Sequence, residues 1–233
     1  MTSSPAAGDV PGALARLDEI TRRLRRECPW DREQDARSIV PHTVEEAYEL
    51  AAAAHSDDDA KLLDELGDVL FQVYFLALLL EERGAGSLAE VAEHCRRKLI
   101  RRHPHVFGDA EADSAAEVLR NWDAIKREDE RGGEIFGELP ETLPSTLYAR
   151  KLLRRAAGVG HEWPQGPVIA QIEEEAARLA AAVTRSDRFE AAGGLLMAAV
   201  AAAASSGTDP ELALRAAADR FKRTVEEEAE TPK

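Results

Sequence analysis

Aromatic residues, cysteines and long hydrophobic runs are all scarce in this sequence. Only 5% of the 233 residues are Phe, Trp or Tyr, so Leu, Ala and Val have to fill most of the core. Because Leu and Ala are strong helix formers, this composition favours helices over strands. The longest apolar run, residues 69–80, contains Gln72 and is shorter than the roughly 18–20 residues that span a bilayer. It predicts a buried helix, and a membrane is not an expected partner.

Cysteine usage and charge narrow the class of protein further. Cys28 and Cys95 form no CxxC pair, so two reduced thiols are expected, as in a cytoplasmic protein. Residues 1–11 lack the apolar segment of a secretory signal. Asp and Glu outnumber Lys and Arg by 44 to 30, which gives a net charge of −14. Such a surface repels nucleic acid, although a metal could still attract a small phosphorylated substrate.

Periodic apolar positions and capping residues predict helices over most of the chain and no strand, so the expected fold class is all-α. In the first half, one helix is expected to end before Pro29, and Pro41 is interpreted as a second break. Thr43, with Glu46 three residues later, is then the expected N-cap of the next helix. The predicted helices of the first half are Pro11–Glu27, Thr43–Ala54, Ala60–Arg83, Ser87–Arg102 and Ser114–Arg131.

A stretch rich in Gly and Pro, residues 132–145, is the candidate linker of the chain. It separates an N-terminal domain, 10–131, from a C-terminal domain, 146–233. Beyond the linker, apolar periodicity again predicts helices only. The predicted helices of the second half are Thr146–Ala157, Val168–Thr184, Phe189–Ser205 and Pro210–Glu230.

The two halves of the chain resemble each other in sequence. Residues 45–50 align with 174–179, and residues 64–70 align with 190–196, at nearly the same offset. Chance similarity between helices rich in Ala and Glu is the alternative explanation. A duplicated helical unit accounts better for both alignments.

Two pairs of acidic residues in the first half have the spacing of a metal site. Glu46 and Glu49 are three residues apart and share a helix face, and so do Glu65 and Asp68 on the next helix. The short turn between the helices makes them antiparallel neighbours, so the pairs can converge. Converging carboxylates raise each other's pKa unless a cation is bound. Hard oxygen ligands favour Mg²⁺, with Mn²⁺ as a second possibility.

The position of the acids relative to the apolar residues argues against a simple solvated face. A solvated acidic face is the usual explanation for a helix rich in Glu, and it would account for residues 57–59. On the second of the two helices, however, a polar stripe is expected to lie beside an apolar stripe at the border of the core. The polar stripe is Lys61, Glu65, Asp68 and Gln72, and the apolar stripe is Leu62, Leu66, Val69 and Val73.

A basic cluster, Lys98, Arg101 and Arg102, follows further along the chain. It has the composition of a polyphosphate clamp, but it could equally complement the dipole at a helix C-terminus. His103 and His105 have no Cys partner at zinc-ligand spacing. Tryptophans are most often core anchors; Trp30 or Trp122 could instead stack on a base.

Taken together, these motifs resemble those of the MazG nucleoside triphosphate pyrophosphohydrolases. The resemblance is close over residues 14–130 and looser over 143–230. It rests on a set of short motifs spread along the first half. They are Cys28-Pro29-Trp30-Asp31 with Gln34, Glu45-Glu46-Ala47-Tyr48-Glu49, Glu65-Leu66-Gly67-Asp68, Arg101-Arg102-His103-Pro104-His105-Val106-Phe107, and Asn121-Trp122 with Lys126.

The resemblance implies tandem helical bundle domains, an intertwined homodimer, and Mg²⁺-dependent hydrolysis of nucleoside triphosphates. The products would be a monophosphate and pyrophosphate, a reaction that clears the nucleotide pool. By position, the family's metal ligands match Glu46, Glu49, Glu65 and Asp68. Glu45 matches an acid beside them that orients water. The residues that match nucleotide-binding positions are Lys61, Lys98, Arg101, Arg102 and Trp122.

The second half departs from the family pattern at the ligand positions. There the aligned residues are Glu175, Arg178, Ala191 and Gly194, so three of four carboxylates are missing. A degenerate domain that serves packing or dimerisation is therefore expected. Two other functions remain open: a non-catalytic helical module that binds nucleotides, and a pyrophosphatase restricted to dUTP or dCTP. The absence of a GxxxxGK[ST] motif disfavours a P-loop enzyme.

Overall fold

In the computed structural model, the described residues are 8–115, 117–118, 121–122, 124–125, 135–140 and 142–230. They form helices and loops, and no strand occurs among them. The all-α prediction is therefore confirmed. The helices are α1 Val10–Glu27, α2 Pro29–Glu33, α3 Ala36–Ala53, α4 Asp59–Glu82, α5 Leu88–Arg102, α6 Pro104–Phe107, α7 Ser145–Ala157, α8 Val168–Ala181, α9 Arg185–Ser205 and α10 Pro210–Glu230.

The chain divides into two compact units, unit 1 (Met1–Ile100) and unit 2 (Arg101–Lys233). In unit 1, α4 packs against α3 and α1, and α2 packs against α1. In unit 2, α9 packs against α7, α8 and α10. The sequence-based domains 10–131 and 146–233, with their linker, stay a prediction.

The prediction that a helix begins at Thr43 is wrong, because α3 begins at Ala36. The Asp35 side chain accepts hydrogen bonds from the amides of Arg37 and Ser38, and the Ser38 hydroxyl accepts one from the Asp35 amide. This capping box starts the helix seven residues early, and Pro41 lies inside it. Proline removes one backbone donor there and crowds the preceding turn, and the cap together with the packing of α3 against α4 offsets this cost.

Unit 1 has a small core between α3 and α4. Ile39, Phe75 and Leu79 are buried, and Phe71 and Leu76 pack against them. The apolar side of α4 differs from the prediction. Leu66 and Val73, which were expected to face the core, are 49% and 41% exposed, whereas Glu65 and Gln72 are buried. The buried side of α4 therefore carries the polar residues Glu65 and Gln72 first, and apolar residues towards its end, Phe75 and Leu79.

Arg25 of α1 joins three elements of unit 1. Its guanidinium donates to the backbone oxygen atoms of Asp31 and Gln34, which hold α2, and to the Glu82 carboxylate on α4. It also lies 5.9 Å from the centroid of the Phe75 ring. Arginine has enough donors in a planar fork to serve all these acceptors at once.

In unit 2, small residues let the helices approach closely. Ala191 and Ala198 of α9 are fully buried, and Ala156 of α7 is 9% exposed. Polar contacts join α7 to the start of α10, where Thr146 donates to Glu211 and Arg150 pairs with Asp209. The Ala-rich segment of α9 is thus a packing surface, as helix–helix contacts require.

No single helix among the described residues is long and apolar enough to cross a membrane. The helices α9 and α10 meet that criterion only as a pair, and they are bent by 105° at the break between them.

Candidate metal centre

Three carboxylates from two neighbouring helices converge in unit 1. Glu46 and Glu49 lie one turn apart on α3, and Glu65 lies on α4. One oxygen atom from each lies within 4.8 Å of the other two. This is the arrangement that the sequence predicts for these three residues. Oxygen atoms from three side chains at this spacing can share one divalent cation.

The Glu65 carboxylate is unusual because it is buried and only partly satisfied. The residue is 7% exposed, and among the described residues no hydrogen-bond partner reaches its Oε2 atom, which is shielded from solvent. A buried polar atom without a partner destabilises the folded protein unless an ion binds it or a water molecule forms a hydrogen bond with it. The donor set therefore fits a hard cation such as Mg²⁺, which accepts carboxylate oxygen atoms and retains several waters.

The electrostatics of the cluster show the same need for positive charge. Burial raises the pKa of the Glu46 carboxyl, and the charges of Asp68, Glu49, Glu65 and Glu45 raise it further. Burial also raises the pKa of Glu65, followed by the charge of Glu49, whereas Lys61 acts in the opposite direction. Each ionised form is thus disfavoured by its neighbours, and a bound cation would reverse that effect.

Asp68 and Glu45 lie at the edge of this cluster. Asp68 is not in the set of three whose oxygen atoms meet, but its charge contributes to the raised pKa of Glu46 and Glu65. The Glu45 Oε2 atom lies 3.3 Å from Nδ1 of His42, one turn earlier on α3. The charges of both carboxylates raise the pKa of Glu46, so both act on the cluster.

His42 and Thr43 lie on α3 one turn before Glu45 and Glu46, and the sequence motifs do not indicate them as neighbours of the site. The Thr43 hydroxyl donates to Oε1 of the buried Gln72, over 3.3 Å, and so joins α3 to α4. His42 contacts the Trp30 ring edge-on, with 5.7 Å between centroids. Both residues lie inside α3, which begins at Ala36, whereas a helix that begins at Thr43 would leave His42 outside it.

The predicted nucleotide-binding residues lie on several elements. Lys61 is in the first turn of α4, and Lys98, Arg101 and Arg102 are in the last two turns of α5. Trp122 is half-buried, and its ring contacts His103 with 5.1 Å between centroids. Lys126, which completes the sequence motif, lies outside the described residues.

Comparisons with known proteins agree with this site. The model of the MazG nucleotide pyrophosphohydrolase domain matches residues 34–107, which include the three convergent carboxylates. A nucleoside triphosphate pyrophosphohydrolase of Escherichia coli K12 is 38% identical over 226 residues, covering 92% of this chain and 86% of that protein. The nucleoside triphosphate pyrophosphohydrolase/pyrophosphatase MazG of Thermotoga maritima is 38% identical over 220 residues, covering 90% and 84%.

A more distant relative is the nucleoside triphosphate pyrophosphohydrolase of Mycobacterium tuberculosis. It is 30% identical over 189 residues, which are 77% of this chain and 57% of that protein. The similarity to the first two relatives extends over most of their length, beyond the segment that carries the carboxylates. The chain therefore belongs to the MazG family of nucleoside triphosphate pyrophosphohydrolases.

Proposed function

We propose that this chain uses Mg²⁺ to hydrolyse ribo- and deoxyribonucleoside triphosphates to the monophosphate and pyrophosphate. The observation that carries the proposal is the convergence of Glu46, Glu49 and Glu65, with a buried carboxylate oxygen left unpartnered. The names of the relatives in Escherichia coli and Thermotoga maritima support the reaction. Mn²⁺ has similar ligand preferences and is expected to substitute. The two free cysteines suit the cytoplasm, where we propose that the protein works.

The proposed chemistry is the attack of water on the α-phosphorus of the substrate. The water oxygen bonds to that phosphorus, the bond to the bridging oxygen breaks, and pyrophosphate leaves in line with the attack. Glu46, Glu49 and Glu65 would hold the ion, with Asp68 beside them, and Glu45 would orient the water. A bound Mg²⁺ supplies positive charge to the triphosphate.

Basic side chains would bind the remaining phosphate charge. Lys98, Arg101 and Arg102 are proposed to contact the β- and γ-phosphates, and Lys61 would assist from the start of α4. Guanidinium groups suit this role because they donate two parallel hydrogen bonds to a phosphate. Trp122 is proposed to lie beside the base, since an indole ring can stack on any nucleobase.

The first test is product analysis with the eight common ribo- and deoxyribonucleoside triphosphates and dUTP, in Mg²⁺ and in EDTA. We expect equal amounts of monophosphate and pyrophosphate, in Mg²⁺ only. Release of orthophosphate would mean that another bond is cut. Saturable binding without turnover would instead identify a nucleotide-binding module, and turnover of dUTP or dCTP alone would identify a restricted pyrophosphatase.

We also propose that unit 1 forms a homodimer through an apolar stripe on α4. Leu63, Leu66, Leu70 and Val73 are between 37% and 74% exposed, and their spacing places them within about 80° on one side of the helix. Glu65 and Gln72 lie on the opposite side and face α3. A row of large apolar side chains in water is costly, and a second copy of the same stripe would cover it.

Light scattering after size exclusion tests the dimer. Replacing Leu63 and Leu70 together by Glu should halve the measured mass, because two charges per chain would enter the interface. Val183→Glu is the matched control, since Val183 is 79% exposed in unit 2 and its replacement should leave the mass unchanged. An unchanged mass for the double variant would exclude this stripe as the interface.

A further inference from the structure

Unit 2 contains a packed pair of helices, α8 and α9, whose sequence aligns with α3 and α4 of unit 1, but its residues do not fit a metal ion. Glu175 and Arg178 lie three residues apart on α8, as Glu46 and Glu49 do on α3. The facing helix, α9, offers Glu190 at this place, and the positions aligned with Glu65 and Asp68 are Ala191 and Gly194. Two carboxylates and one guanidinium leave a net charge of only −1, and the guanidinium itself repels a divalent cation at this place.

Arg178 supplies the positive charge that lies beside the buried Glu175 carboxylate. The Glu175 side chain is 10% exposed, and its Oε2 atom has no hydrogen-bond partner among the described residues. Gln171 donates to Oε1 over 3.2 Å. The nearest positive charge is Nη1 of Arg178, 3.6 Å from Oε2, while Nη2 of the same guanidinium lies 3.9 Å from Oε2 of Glu190. One cation therefore reaches acids on both helices.

Gly194 makes room for this arrangement. A Cβ atom at position 194 would lie 2.4 Å from Oε2 of Glu175, well inside van der Waals contact. The carboxylate thus occupies the volume that a side chain on α9 would need. An aspartate here, which would match Asp68 of unit 1, would have to displace Glu175 from its place. The glycine and the arginine are consistent with one another and with a site that takes no ion.

We propose that the Arg178 guanidinium replaces the divalent cation in unit 2. It joins Glu175 on α8 to Glu190 on α9, so that this helix pair is held together without metal and the chain responds to metal in unit 1 only. The contrast with unit 1 rests on the proposed function, whereas the role of Arg178 within unit 2 does not.

Hydrogen exchange by mass spectrometry tests both parts on the full-length chain, because peptides report on each helix pair separately. In the wild type, Mn²⁺ added after EDTA should slow exchange in α3–α4 and leave α8–α9 unchanged. Slower exchange in α8–α9 with Mn²⁺ would overturn the proposal. If Mn²⁺ does not slow exchange in α3–α4, the metal site proposed for unit 1 is wrong. The role of Arg178 in unit 2 is then tested by the variants below.

The variants are Arg178→Met, Arg178→Lys and the control Arg185→Met. Arg185 is exposed on α9 and forms no ion pair with any described residue. Removing the charge at 178 leaves Glu175 buried without a cation, so exchange in α8–α9 should accelerate about tenfold, with the half-exposed guanidinium limiting the effect. The Lys variant should recover part of the protection. A rate for Arg178→Met no faster than that of the control would refute the proposal. The wild-type comparison stands even if Arg178→Met does not fold.

Discussion

Replacing Glu49 by Gln should have opposite effects on activity and on the stability of the metal-free protein. The substitution keeps the size of the side chain and removes one charge from the three-carboxylate cluster. Charge stabilisation by a bound metal is worth several kcal/mol, so kcat/KM should fall by about 10³-fold. Without metal, however, the same charge only repels Glu46 and Glu65, and its loss should stabilise the fold.

The distances in the cluster set the size of the second effect. The oxygen atoms lie within 4.8 Å of one another, and two unit charges at that upper limit repel by about 0.9 kcal/mol at the dielectric constant of water and about 3.5 kcal/mol at an effective value near 20. Because Glu49 is exposed, the lower figure applies to each of its two neighbours, and after screening by solvent we expect a total gain of about 1 kcal/mol. In a chain of this length, that gain raises the melting temperature by about 2–4 °C.

The assay pairs thermal unfolding, followed by circular dichroism in EDTA and in Mg²⁺, with the pyrophosphate-release assay. In EDTA the variant should melt above the wild type, and in Mg²⁺ the order should reverse because only the wild type binds the ion tightly. Glu173→Gln is the control, an exposed glutamate on α8, and should change neither property. A lower melting temperature for Glu49→Gln in EDTA would refute the repulsion argument, and full activity would refute its role as a ligand.

Three further changes test the basic cluster, the tie between α1 and α4, and the start of α3. Lys98→Ala should raise KM about tenfold or more through the loss of a charge-assisted phosphate contact; steady-state kinetics at constant ionic strength would show an unchanged KM if Lys98 is not involved. Arg25 lowers the pKa of Glu82, so this ion pair stabilises the fold at neutral pH and the benefit is lost as the pH falls through that pKa. Glu82→Gln should therefore lower the melting temperature at pH 7 by about 1–2 °C, a difference that disappears in acid; a constant difference would argue against titration of Glu82. Asp35→Ala removes the capping box and should cost about 1 kcal/mol by denaturant unfolding, whereas no loss would mean that α3 starts without its cap.

Local signals in the sequence are sufficient to predict the start of a helix where the helix has a clear cap. The boundaries of α4 and α5 follow from the turn at residues 55–59 and from Ser87, whose hydroxyl accepts a hydrogen bond from the Glu90 amide. At α3 two signals conflicted, since Pro41 suggests a break while Asp35 and Ser38 form a cap. A proline in a helix interior costs about 3 kcal/mol and a cap contributes about 1 kcal/mol, so the rest must come from the packing of α3 against α4, a tertiary contact that local signals do not report.

Periodicity identified the carboxylates but could not assign the faces of α4. The spacing of Glu46, Glu49 and Glu65 correctly indicated that they converge, since helix geometry fixes which residues share a face. Amphipathicity alone does not tell whether an apolar stripe faces the core or an interface. Leu66 and Val73 were therefore assigned to the core, whereas in the single chain they lie on the outside of α4. The burial of Glu65 is likewise a tertiary property that no local pattern reports.

The way Arg25 holds α2 has a consequence for mutational tolerance. The acceptors on α2 are backbone oxygen atoms of Asp31 and Gln34, and these are present whatever side chains the helix carries. Substitutions at the exposed Arg32 and Glu33 therefore leave these two hydrogen bonds intact, whereas Asp31 is buried and the Trp30 ring contacts His42. Arg25 has no such freedom, because a lysine would bring one compact ammonium to acceptors that lie on two separate elements. Selection can thus act on the surface of α2 independently of the position of its backbone.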